Sequence, residues 1–159
     1  MIILGSASLL LFCYNGYEKI DDIVCTLAGV FGLMICLFPC ANSGYDGAVG
    51  LFSFFGMTEA ATAWFHNIGA AVFFGLLACN SLFLFTKSSG VMTDRKKKRN
   101  IIFRVCGIGM IASFILLAIF SVCGVYGGTW IAEALALMFF GISWLTKADC
   151  YNWLFCDKE

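Results

Sequence analysis

Long apolar runs, more than any short motif, govern what this chain can become. They fall at about 2–17, 23–40, 66–85, 101–123 and 130–146, separated by short polar connections. An apolar stretch of about 20 residues is long enough to cross the hydrocarbon core of a bilayer as a helix. The residues between the runs are too few to bury those runs as the core of a water-soluble domain. Of the 159 residues 61% are hydrophobic and 13% charged, whereas soluble domains carry about 25% charged residues. The sequence therefore predicts an all-α fold: a polytopic transmembrane helical bundle of about five spans, forming a single integral membrane domain over 1–159. The first run is short for a complete span. It has neither the basic region nor the cleavage site of a signal peptide and reads as a short first helix.

The connections are informative in turn. Glu18-Lys19-Ile20-Asp21-Asp22 reads as a charged link into helix two, which Pro39 closes. Cys25, Gly29, Gly32 and Cys36 fall at helical spacing and give helix two one smooth face of small residues, where another membrane helix can approach closely. The outer loop 41–65 opens polar, through Asn42-Ser43-Gly44-Tyr45-Asp46-Gly47, and then turns apolar through Leu51-Phe52-Ser53-Phe54-Phe55. That apolar part is too short to span and is expected to lie at the interface or to re-enter. Thr58 is placed to cap a short helix running into Trp64, which suits the headgroup level. Helix three is expected to open at His66, the only histidine, and the basic loop 86–100 follows it. Trp144 and Trp153 are expected to bracket the interface near the C-terminus.

Cationic residues set orientation in membrane proteins. Lys87 and the block Arg95-Lys96-Lys97-Lys98-Arg99 all lie between helices three and four, so that loop is expected in the cytoplasm. Alternation brings Lys19, Lys147 and Lys158 to the same side. The loop 41–65 and the turn 124–129 contain no Lys or Arg and face out. The expected topology is five helices, N-terminus out and C-terminus cytoplasmic.

Several of these residues, taken in order, resemble a family. They are Tyr14-Asn15-Gly16-Tyr17 with Asp21, Leu37-Phe38-Pro39, His66-x-x-Gly69-Ala70 with Phe73-Phe74, and Phe83-Leu84-Phe85-Thr86-Lys87 before the basic loop. Trp130-Ile131-Ala132-Glu133 and Gly141-Ile142-Ser143-Trp144 complete the series. The chain is similar in these motifs to a group of uncharacterised bacterial multi-pass membrane proteins, loosely similar to the Frag/DRAM/Sfk type. The resemblance covers most of the chain. It implies a location in the bacterial cytoplasmic membrane, about six helices with one preceding residue 1, and a lipid-related role. It implies no catalytic residues.

Polar groups at membrane depth are costly and need a partner or an aqueous surface. On the outer side these are Asp46, Glu59, His66 and Glu133, candidates for a ligand-binding or proton-handling site. His66 and Glu133 are expected at similar depth, where the carboxylate would hold one imidazole tautomer. The plainer roles are an interfacial histidine bonded to the outer loop and a glutamate stabilising a helix N-terminus. On the inner side, Asn80 and Ser81 near the end of helix three, Arg104 in helix four, and Arg95, Lys96, Lys97, Lys98 and Arg99 are candidates for binding a phosphate headgroup. A polybasic stretch beside a membrane attracts anionic lipid. The plainer role there is that the lysines set topology while Arg104 snorkels to the interface.

Other classes find little support. One histidine gives too few ligands for zinc, and the nine cysteines lie mostly in apolar runs, where they pack as small residues. Cys36-x-x-x-Cys40 lacks redox spacing, although a bond from Cys40 on the outer side stays open. No Walker loop and no Gly-x-Ser-x-Gly occurs. No metal, cofactor or nucleic-acid partner is expected. The first reading is a non-enzymatic membrane protein that binds lipid or a hydrophobic ligand, or serves as a complex subunit, with membrane lipids and a homo-oligomer or membrane-protein partner. A small transporter or channel component is the second reading, and a lipid-modifying enzyme the third.

Overall fold

The computed structural model describes residues 2–14, 16, 18–38, 40, 58–87 and 93–148. Among these residues run five α-helices and no strand: α1 (Ile2–Phe12), α2 (Lys19–Leu37), α3 (Glu59–Cys79), α4 (Asp94–Cys123) and α5 (Gly128–Lys147). A π-helical segment, Asn80–Leu84, continues α3 without a break. The all-α architecture expected of the apolar runs is the one adopted. Among the described residues four stretches, Lys19–Leu37, Ala60–Leu84, Asp94–Cys123 and Gly128–Lys147, are long and apolar enough to cross a membrane. The chain is a multi-pass membrane protein. α1 has 11 residues and rises only about 16 Å, roughly half the hydrocarbon thickness. The chain divides into two compact units, Met1–Leu76 and Leu77–Glu159, with the boundary inside α3.

Three helices start earlier than the charge pattern suggests. α2 begins at Lys19, so the expected charged link is its first turn. The Asp21 carboxylate accepts the Glu18 N–H at 3.3 Å and the Asp22 carboxylate accepts the Gly16 N–H at 2.7 Å. These bonds put negative charge at the positive end of the helix dipole. α3 begins at Glu59, not at His66. Thr58 does cap it, its hydroxyl accepting the Ala61 N–H at 3.3 Å, but the helix does not stop at Trp64. The alanine-rich turn after the cap has high helix propensity, so it fuses with the apolar run behind it. α4 begins at Asp94, which takes the whole basic block out of the expected loop and into a helix. The remainder of the expected outer loop, 41–57 with Asp46, lies outside the described residues, as does Trp153.

In the first unit the small face of α2 receives α1. A Cβ on Gly29 would come within 2.9 Å of the Ser8 carbonyl, and one on Gly32 would strike the Ser8 hydroxyl and the Phe73 ring. Small residues here permit close packing, which in a bilayer replaces the missing hydrophobic drive between helices. Cys25 and Ala28 on the same face are fully buried.

The second unit is built on the α4–α5 hairpin. Gly124 (φ 64°) ends α4 and Gly127 (φ 70°) begins α5, both in the left-handed region that only glycine enters without strain. Beyond this turn the helices pack closely, with Gly128 against the Phe120 ring and Gly109 against the Phe139 ring. Phe103, Cys106, Gly107, Met110 and Ser113 form the buried face of α4. Gly107 lies against Leu82 of the π segment.

Candidate functional site

Thr93 starts the basic end of the second unit. Its hydroxyl accepts the Lys96 N–H at 3.2 Å and its carbonyl the Lys97 N–H at 3.0 Å. Five cations at a helix N-terminus oppose that helix's own dipole. Two neighbouring helix ends compensate. Lys96 Nζ donates to the Phe85 carbonyl at 2.9 Å, at the end of the π segment, and Arg99 donates to the Lys147 carbonyl at 3.2 Å, at the end of α5. Both acceptors belong to helix C-termini, whose last carbonyls have no partner within their own helix.

An aromatic floor lies under these cations. Phe85 meets Phe103 edge-on at 5.5 Å between centroids and Trp144 at 5.9 Å, and Phe140 lies 5.5 Å from Trp144. Lys96 and Arg99 stand over the Phe103 ring at 5.7 and 5.9 Å, and Lys147 over Phe85 at 5.4 Å. Such cation–π contacts strengthen as water is excluded. Trp144, expected as an interface marker, is thus a packing member of this cluster.

Of the other cations, Lys97 and Lys98 reach the surface, while Arg95 is half-buried with its guanidinium turned into the protein. Lys97 pairs with Asp94 at 2.8 Å, a mostly exposed ion pair of little energetic weight. Arg104 is exposed on the outer face of α4, among Ile101, Val105 and Ile108. It has no hydrogen bond or ion pair among the described residues.

Asn80 and Ser81, expected beside the headgroup, are fully buried. The Ser81 hydroxyl donates to the Phe103 carbonyl at 2.8 Å and lies 2.7 Å from the Ser143 hydroxyl. Because Ser81 spends its one proton on the carbonyl, Ser143 donates to Ser81. Three helical segments are joined at one oxygen. This hub and the aromatic floor were not foreseen as site elements. The signal available in the sequence was the pair of serines inside otherwise apolar runs.

In the first unit His66 lies two turns inside α3, not at its outer end, and is 8% exposed. Its Nδ1–H donates to the Phe38 carbonyl at 2.8 Å. A carbonyl can only accept, so Nδ1 carries a proton. Phe38 ends α2, so the histidine satisfies a helix C-terminus, and Phe65 stacks on the Phe38 ring at 5.0 Å. The partner expected from the outer loop is instead this helix end. Glu133 is half-buried in the second turn of α5 and belongs to the other unit. Glu59 is the first residue of α3. Among the described residues no group of three or more His, Cys, Asp or Glu could hold a metal ion. No protein-family model, no curated protein and no solved structure matches the chain.

Proposed function

We propose that this protein is a non-enzymatic membrane component that binds anionic lipid at the basic end of its second unit, with that end in the cytoplasm. One observation carries the reading. α4 has 30 residues and so measures about 45 Å, some 15 Å more than the ~30 Å hydrocarbon core. The surplus is nearly three turns, and the outermost turn and a half of it holds Arg95, Lys96, Lys97, Lys98 and Arg99. With Lys96 and Arg99 bound to neighbouring helix ends, this tip is a rigid mount for charge, and Lys97 and Lys98 face outward from it. Cations so placed favour the cytoplasmic side. Each contributes about 1 kcal/mol of attraction near an anionic leaflet.

The test is co-purification of lipid with the full chain, from detergent doped with equal dioleoyl phosphatidylglycerol and dioleoyl phosphatidylcholine. Phosphatidylglycerol should be enriched at 0.1 M salt, and the enrichment should fall as salt is raised, because screening shortens from about 10 Å to about 3 Å at 1 M. The double variant Lys97→Gln/Lys98→Gln should lower it by roughly tenfold or more. Equal retention of the two lipids by the parent chain would sink the reading.

A further inference from the structure

The outer face of α4 carries a continuous stripe of branched side chains: Ile101, Val105, Ile108, Ile111, Ile115, Ile119 and Val122, all exposed. Ile101 and Ile108 are each 62% exposed, and between them, on the same face, stands Arg104. A lone guanidinium in an apolar lipid-facing stripe is costly unless it meets an anion or water. The length of α4 gives its depth. From Arg104 to Cys123 the helix rises about 28 Å, close to the full hydrocarbon thickness. With Cys123 at one boundary, Arg104 is at the other, where lipid phosphates lie. α5 agrees with this ruler. Its last residue, Lys147, is joined to Arg99, about a turn and a half beyond Arg104.

We infer that Arg104 holds the phosphate of one anionic phospholipid whose acyl chains lie along Ile108, Ile111 and Ile115. The inference rests on the proposed function and names its gripping residue. Lys97 and Lys98, about 10 Å farther out along the helix, gather anionic lipid through long-range charge. Arg104 binds at contact, because a planar guanidinium can give a phosphate two parallel hydrogen bonds while an ammonium acts as a point charge. From Arg104 to Ile115 the stripe runs about 16 Å, the depth of one leaflet. A phospholipid uses both parts, whereas a free phosphate would use only the arginine. The β-branched side chains along the stripe are stiff at χ1, so the surface offered to the acyl chains is fixed in shape.

The experiment counts phosphatidylglycerol retained per chain after size exclusion in 0.5 M NaCl, where long-range attraction is screened. The parent should retain about one molecule, and Arg104→Gln should reduce occupancy at least tenfold. Arg104→Lys should fall between them, since it keeps the charge and loses the fork. Lys97→Gln/Lys98→Gln should keep the tightly held lipid while losing the low-salt enrichment, which separates this inference from the broader reading. Adding 10 mM inorganic phosphate should not displace the lipid. Equal occupancy in the parent and Arg104→Gln would overturn the inference, as would displacement by inorganic phosphate. If Arg104→Gln does not fold, Arg104→Lys decides: parent-like retention by that variant also overturns it.

Discussion

Ser81 has one proton, and two neighbours share its oxygen. It donates to the Phe103 carbonyl and accepts from Ser143, so its loss breaks two bonds and the loss of Ser143 breaks one. Interhelical hydrogen bonds in membrane proteins are worth about 0.6 kcal/mol on average and up to about 1.7. Ser81→Ala should therefore destabilise the chain by roughly 1–2 kcal/mol and Ser143→Ala by about half as much. The double variant should match Ser81→Ala alone, because no shared bond is left to lose. Denaturant unfolding in mild detergent measures all three, and additive losses would show that the hydroxyls act separately. The two serines could be read as polar exceptions in apolar runs, but nothing in their spacing of 62 residues revealed that they meet. His66 teaches the same lesson. Its position as the sole histidine was plain, while its partner, a backbone carbonyl 28 residues away, has no sequence signature.

Helices in this protein are shaped by what their ends meet. Five cations at the start of α4 read as part of a loop because the apolar run begins only at Ile101, and in a helix they oppose its dipole. They are tolerated because two other helices end beside them with unsatisfied carbonyls. Glycines show how closely the elements approach. A Cβ at Gly109 would sit 2.8 Å from the Phe139 ring, whereas one at Gly141 meets nothing within 4 Å. Gly109→Ala should cost about 1–3 kcal/mol by forcing α4 and α5 apart. Gly141→Ala should be neutral or stabilise by up to about 1 kcal/mol through helix propensity. Thermal unfolding of the two variants in the same detergent tests the pair. Equal effects would mean that the α4–α5 contact is looser than described.

At the scale of the whole molecule the proposed orientation is the property most open to test. Cysteines introduced as Ser43→Cys and Ser89→Cys lie in the two long connections, and impermeant maleimide applied to intact cells reads their side. Labelling above the parent level is expected for Ser43→Cys and not for Ser89→Cys. The parent supplies the baseline because Cys13, Cys79 and Cys123 are exposed thiols. The opposite pattern would place the basic end outside and remove the basis for attraction to cytoplasmic anionic lipid. The exposed aromatic side chains at the other end of the α4–α5 hairpin, Tyr126 and Trp130, suit the far interface.

Composition and periodicity alone determined that the chain is helical and crosses a membrane, because apolar runs of this length admit no other low-energy state in lipid. They also located the small face of α2, the glycine turn before α5 and the concentration of positive charge near residue 97. The starts of α2, α3 and α4 are set by local groups, Asp21 with Asp22, Thr58 and Thr93, of which the Thr58 cap was legible in the sequence. Only the tertiary structure decided how the charge at the start of α4 is met: the Lys96 and Arg99 side chains donate to the Phe85 and Lys147 carbonyls, which end two neighbouring helical segments. It also decided which expected headgroup residues are exposed. Asn80 and Ser81 turn inward while Arg104 stays on the outer stripe. The facing of a polar residue in a membrane helix depends on which neighbour packs against that side, and no local pattern records the neighbour.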